Sequence, residues 1–169
     1  MYFNQEKYVE ESLNAVLAQT YSPLEIIISD DASTDGTWQI ITSILATYTG
    51  PHKIITNQNE KNLGIIGNWN KSCSLSSGEL LVKGDGDDIS EPYRVERTVK
   101  EWLKYNKEPM LLSSSCNIID MQGNHIGELK VPIDDGIKDH QKPSVMDGHF
   151  FIVDQAPLST ENYSIHSVR

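Results

Sequence analysis

The chain has 169 residues, 38% of them hydrophobic, which is enough for one domain around one core. Its 14 basic and 24 acidic residues leave a net charge of −10, which disfavours nucleic acid and anionic membrane as partners, since both are polyanions. No apolar run approaches the roughly 20 residues of a membrane span, and the residues after Met1 are polar, unlike a signal peptide. Cys73 and Cys116 have neither metal-site spacing nor the numbers for a disulfide framework, and read as structural thiols in a cytosolic protein.

In chain order, residues 6–19 place Val9, Leu13, Val16 and Leu17 at helical spacing, and Pro23 follows. Residues 24–29 (LEIIIS) form a short apolar run between turn residues, which predicts a strand covered on both faces. Residues 33–37 lead into a helix that runs to Gly50-Pro51. Residues 52–58 predict a second strand, and 59–78 a glycine-marked loop and a polar helix ended by Gly78. Residues 79–84 (ELLVKG) predict a third strand, entering Asp85-Gly86-Asp87-Asp88. Residues 91–106 predict a helix with Pro92 near its first turn. Residues 110–119 predict a fourth strand, and 120–131 a hairpin turning at Gln122-Gly123-Asn124. Strands alternating with helices predict an α/β fold with a mostly parallel sheet and helices on both faces.

Two acidic clusters end predicted strands: Asp30-Asp31 and Asp85/Asp87/Asp88. Ligands of open parallel sheets bind outside the carboxyl ends of the strands, so both clusters are expected at one crevice. Carboxylates accept hydrogen bonds from nucleobase N–H groups and ribose hydroxyls. Packed carboxylates also attract Mg²⁺ or Mn²⁺, which in turn hold phosphate oxygens. Taken alone, Asp30 and Asp31 read equally as turn and capping residues. Asp31, Ser33, Asp35 and Gly36 imitate the start of a calcium loop, but Thr42 stands where that loop needs a glutamate. His52, His125, His140, His149 and His166 show no ligand spacing and read as surface or loop residues, and Trp38, Trp69 and Trp102 read as core. Lys71 and Arg94 read as helix-surface charges, with Arg94 and Arg97 beside Glu91 and Glu96.

Residues 3–37, 59–72 and 76–96 together resemble a family 2 glycosyltransferase of the GT-A, Rossmann-like fold. The resemblance covers about residues 1–97 and implies two parts: residues 1–109 as a nucleotide-sugar donor-binding subdomain, and 110–169 as a partial acceptor-side region. It implies that Asp30 and Asp31 contact the nucleobase and ribose, with Phe3 and Asn4 as the tail of a first-strand turn and Asn62 and Gly64 in a loop near the donor. The DxD motif would be Asp85-Gly86-Asp87. Asp85 and Gly86 would contact the donor, while Asp85, Asp87 and Asp88 would form the Mg²⁺ or Mn²⁺ site, Asp87 being the direct ligand. The implied reaction is inverting transfer of a sugar, expected as a UDP-sugar, to a glycan or lipid-linked acceptor hydroxyl in polysaccharide assembly, in the cytoplasm or at the inner membrane face.

The chain departs from that pattern. The first strand is largely missing, and Glu161-Asn162-Tyr163 stands where an acidic pair and an aromatic residue are expected, so Glu161 is the expected base. The short start and the end at Arg169 predict a piece of a longer protein that does not itself catalyse transfer. The alternatives are a non-catalytic nucleotide-sugar-binding remnant, or a nucleotidyltransferase, for which no basic, glycine-rich phosphate loop is seen near the N-terminus.

Overall fold

Every residue of Glu25–Asp30 (β1) is buried, as a strand covered on both faces must be. β1 pairs in parallel with Lys53–Gln58 (β2), in register from Glu25 opposite Lys53 to Asp30 opposite Gln58. The computed structural model describes residues 1–107, Leu112 and residues 114–129. The helices are α1 (Val9–Leu17), α2 (Thr37–Ala46), α3 (Gly64–Ser74) and α4 (Arg94–Lys104). Cys116–Ile119 (β3) and His125–Leu129 (β4) form an antiparallel hairpin. Its turn is closed by Asp120, whose Oδ1 accepts the backbone N–H groups of Gln122 and Asn124 at 2.9 Å each, and by Gly123 at φ +80°.

Of the face of α1 expected from periodicity, Val9, Leu13 and Val16 are buried and Leu17 is partly buried. Val9, Leu13 and Val16 of α1 join Ile26 and Ile28 of β1, Ile41 of α2, and Val95, Val99 and Trp102 of α4 in one core. α3 packs on β1 and buries Trp69. There Asn68 accepts a 2.6 Å hydrogen bond from the Ser29 hydroxyl. The fold is therefore α/β with a parallel pair at its centre, as the sequence predicts.

Residues 79–84 depart from the expected strand: a single bridge at Leu81 is their β-pairing among the described residues. Leu80, Leu81 and Val82 are nonetheless buried, Leu80 and Val82 in the same core. The physical reason is what lies beside β1. Tyr2 makes a parallel bridge to Asp30, with Tyr2 N–H on the Ser29 carbonyl and Asp31 N–H on the Tyr2 carbonyl, both 2.9 Å. The Met1 amine donates to the Gly84 carbonyl at 2.8 Å. Met1–Tyr2 thus sit between the end of β1 and Gly84, in the place expected of a first strand. The predicted fourth strand is ordered as a ladder at Cys116–Ile119, pairing with β4.

Glu25 fastens the other end of β1. Its carboxylate is fully buried and accepts hydrogen bonds from Ser77 N–H (2.7 Å), Ser77 Oγ (2.9 Å) and Lys53 Nζ (2.7 Å). Burial alone would raise its pKa, but the bonds from Lys53 and Ser77 outweigh it and hold the carboxyl below the usual glutamate range. A depressed folded value means stability that is complete above the unfolded value and is lost as pH falls through the folded one. Glu25→Ala is expected to cost about 1–3 kcal/mol in urea unfolding at neutral pH. Glu25→Gln is expected to flatten the wild-type loss of stability below the ordinary glutamate range. An unchanged acid limb in Glu25→Gln would contradict the clasp.

Candidate functional site

Asp30 and Asp31 are adjacent in sequence but are used differently. Successive side chains at the end of a strand point to opposite faces. Asp30 is fully buried and both its oxygens are engaged. Its Oδ2 accepts Ser33 N–H at 3.0 Å and Gln58 Nε2 at 3.2 Å, and its Oδ1 accepts the Ser33 hydroxyl. This is a turn closed by its own aspartate, and Ala32 between the two residues is held at φ +59°, a sparsely populated region for a residue with a Cβ. Asp31 uses one oxygen. Its Oδ1 accepts Asn59 Nδ2 and Leu63 N–H, both at 2.8 Å, while its Oδ2 accepts no hydrogen bond among the described residues. Asp31 therefore ties the 59–63 loop to the sheet and keeps an acceptor in hand.

Around it lies a polar network. Asn57 Nδ2 donates to Ser29 Oγ at 3.0 Å and to Asn59 Oδ1 at 2.8 Å, and Asn59 Nδ2 reaches Asn68 Oδ1 at 3.2 Å. Ser29, Asn57, Asn59 and Asn68 are not marked out by any motif in the sequence. The available signal was Asn68 next to Trp69, a residue read as core, in a helix otherwise read as polar. Asn62 accepts Gly64 N–H at 2.8 Å, and Gly64 sits at φ +72° at the start of α3, a conformation suited to glycine.

Phe3 is exposed, and Asn4 stitches the amino end to the loop after β1. Asn4 N–H donates to Ser33 Oγ at 2.9 Å, and its Oδ1 accepts Thr34 N–H at 2.8 Å. Glu6 Oε2 accepts Gly36 N–H at 2.8 Å. Asp35 accepts Thr37 N–H (3.0 Å) and Thr37 Oγ1 (2.6 Å), opening α2; these bonds outweigh desolvation and hold its carboxyl below the usual range.

The second acidic turn packs against the same amino-terminal residues. A Cβ at Gly86 would overlap the Gln5 amide oxygen and the Tyr2 ring, and would lie 2.7 Å from the Met1 carbonyl. Ser12 of α1 donates to the Gly86 carbonyl at 2.7 Å. The three carboxylates expected to hold metal do not converge. Asp85 pairs with Lys83 Nζ at 2.6 Å. Asp88 is buried and lies within electrostatic reach of the Arg94 guanidinium. Asp87 is half-buried and accepts no hydrogen bond among the described residues. Burial pushes Arg94 down to about 10, against the opposing pull of Asp88 and Asp85, and its Nη1 donates to the Lys83 carbonyl at 3.2 Å. Arg94 is thus a partly buried cation turned toward the acidic turn, where a helix-surface charge was expected. His52 likewise is buried, not at the surface, and burial lowers its pKa.

Among the described residues no three His, Cys, Asp or Glu side chains gather as a cation cage. A half-exposed carboxylate still suits a Mg²⁺-type ion, which keeps waters and takes substrate phosphates alongside one or two carboxylates. The residues therefore fit a cation that arrives with a diphosphate. A groove of about 840 Å³ between α4 and the β3–β4 hairpin contains neither Asp31 nor Asp87. Glu161 lies outside the described residues, as does most of the predicted acceptor-side region.

The family model for glycosyl transferase family 2 matches residues 1–114. The chain belongs to that family. EpsE of Bacillus subtilis is 38% identical over 121 residues, which are 72% of this chain and 42% of EpsE. An uncharacterized glycosyltransferase of Haemophilus influenzae is 35% identical over 117 residues, 69% of this chain and 35% of that protein. The chain spans less than half the length of each of these family 2 relatives. Among solved structures, S. aureus TarS 1–349 in complex with UDP superposes with a TM-score of 0.53 at 27% identity, covering 62% of this chain and 30% of that 1–349 chain. The mannosyltransferase PcManGT from Pyrobaculum calidifontis, solved with GDP-Man and Mn²⁺, gives 0.55 at 23% identity over 70% of this chain and 34% of its own, a likeness that bears on the fold alone. The fold is GT-A. No helix among the described residues is long and apolar enough to cross a membrane.

Gly86 gives this site its sharpest packing test. Gly86→Ala is expected to lower stability by about 1–3 kcal/mol, because Tyr2 and Gln5 must move to admit the methyl group. Gly64→Ala, where open space surrounds the position, is expected to cost about 1–2 kcal/mol from backbone conformation alone. Denaturant midpoints of the two variants check this, and a wild-type midpoint in Gly86→Ala would contradict the packing.

Proposed function

We propose that this chain is the donor-binding part of a glycosyltransferase that takes a nucleoside diphosphate sugar, in the form of a UDP-sugar, with Mg²⁺ or Mn²⁺. The observation that carries the reading is the joint attachment of two acidic turns to Tyr2. Asp31 N–H bonds to the Tyr2 carbonyl, and the Gly86 backbone lies against the Tyr2 ring. One end offers an unused carboxylate oxygen at Asp31 for a base or ribose hydroxyl. The other offers Asp87, which would hold a cation that arrives with the diphosphate. Asp30 serves by shaping the turn. Phe3, Asn4, Asn62 and Gly64 form the surrounding loops, and Asp85, Gly86 and Asp87 form the DxD motif with Asp88 beside it. The presence of UDP in the TarS structure supports a uridine nucleotide.

In this reading residues 1–109 form the donor side and 110–169 part of the acceptor side. The bound cation supplies a Lewis acid to the departing diphosphate. Glu161 deprotonates an acceptor hydroxyl of a glycan or lipid-linked sugar, and attack from the face opposite the diphosphate inverts the anomeric carbon. A cytoplasmic setting, at the inner membrane face where the acceptor is lipid-linked, accompanies a role in polysaccharide assembly.

Calorimetry of the 169-residue chain with UDP, in Mn²⁺ and in chelator, tests the reading. Binding is expected in Mn²⁺ alone. Asp87→Ala is expected to abolish the metal-dependent part. Asp31→Ala is expected to weaken UDP about ten- to hundredfold with its metal dependence kept, the usual scale for a lost hydrogen bond of about 1–3 kcal/mol. Equal UDP affinity with and without metal would overturn the metal-bridged site.

A further inference from the structure

Lys83 has no place in the roles above, yet it stands two residues before Asp87's partner in the motif, Asp85, and is buried there. Its side chain is 10% exposed, and its ammonium sits 2.6 Å from Asp85 Oδ2. A lysine usually buries its stem and leaves its charge in water; here the charge is turned inward onto the acidic turn. Arg94, partly buried, adds a second cation, held by the Lys83 carbonyl and interacting most strongly with Asp88. Asp85 and Asp88 thus face fixed cations, and Asp87 does not share a hydrogen bond or ion pair with either Lys83 or Arg94.

A free divalent cation approaching this turn meets carboxylates that are already compensated, and it is repelled by the Lys83 ammonium at short range, where screening is weak. A diphosphate brings its own negative charge and reverses that balance. We propose that Lys83 is the internal counter-ion of the donor site: by holding Asp85 it keeps free divalent metal out and makes metal binding conditional on the nucleoside diphosphate. The proposal rests on the donor-site reading. Lys83 is a positioning residue, acting through Asp85. By linkage, whatever factor the diphosphate contributes to metal affinity, the metal contributes equally to diphosphate affinity.

Mn²⁺ titration of the 169-residue chain, followed by electron paramagnetic resonance with and without UDP, tests it. Wild type is expected to take Mn²⁺ weakly alone and at least tenfold more tightly with UDP. Lys83→Met is expected to bind Mn²⁺ alone about tenfold more tightly than wild type, a gain that a merely damaged fold does not produce, and to shrink the UDP effect by the same factor. Lys83→Arg is expected to behave as wild type. Lys83→Met/Asp85→Asn removes both charges in nearly unchanged shapes, and its affinity for Mn²⁺ alone is expected within about threefold of wild type. That double variant also serves if the single one does not fold. Unchanged or weaker Mn²⁺ binding in folded Lys83→Met overturns the proposal, as does a tenfold gain that persists in the double variant. Asp87→Ala, run alongside, separates the two claims. If it abolishes Mn²⁺-dependent UDP binding while Lys83→Met changes nothing, the counter-ion role fails alone; if UDP binding in Mn²⁺ survives Asp87→Ala, the donor-site reading fails and the proposal with it.

Discussion

Tyr2 exchanges two 2.9 Å backbone hydrogen bonds with the end of β1, and its ring lies where a side chain on Gly86 would have to go. Two strand ends that carry negative charge are held together through this one residue. Without it, Ser29 O and Asp31 N would need other partners, since buried backbone groups go unpaired only at a cost. Neighbouring residues extend the same attachment. Asn4 and Glu6 bind the loop 33–36, and Ser12 binds the Gly86 carbonyl. The amino-terminal residues therefore form a frame between the two turns, and the position of each acidic group follows from that frame.

The frame also explains why five carboxylates are not five equivalent ligands. Asp30 is consumed by its own turn, and Asp31 by the 59–63 loop on one oxygen only. Asp85 is consumed by Lys83, and Asp88 is buried in the field of Arg94. Each engaged carboxylate lowers the electrostatic cost of placing so much negative charge at one sheet edge. What remains without a protein hydrogen bond among the described residues is one oxygen of the buried Asp31 and the half-exposed side chain of Asp87. That is a small set for a metal cage and an adequate one for a ligand that brings phosphates of its own.

The helices and the two paired strands were legible in the sequence because their signals are local. Val9, Leu13 and Val16 mark α1 by spacing, and the isoleucines of β1 sit between turn residues. Asp120 and Gly123 mark the hairpin turn by chemistry and by φ. Residues 79–84 read as a strand for the same reason, but a ladder also needs a neighbour, and the neighbour beside β1 is Met1–Tyr2. The acidic clusters were visible; their division of labour was not, because it depends on the turn geometry that brings Ser33 to Asp30 and Lys83 to Asp85, and on Asn59 reaching Asp31 across the fold. Arg94 misled as well: on a helix rich in charge it reads as solvated, whereas its guanidinium turns back onto the Lys83 carbonyl and is partly buried.

The central claim is that a nucleoside diphosphate and its metal sit between Asp31 and Asp87. Amide spectra of the ¹⁵N-labelled chain with UDP and a trace of Mn²⁺ test this most directly, because paramagnetic broadening marks proximity to the ion. The account predicts loss of the Gly86–Asp88 amide signals, shifts at Asp31–Ser33 and in the 59–63 loop, and reversal of the broadening by chelator. Broadening centred on the β3–β4 hairpin, with the Gly86–Asp88 signals left sharp, would contradict it.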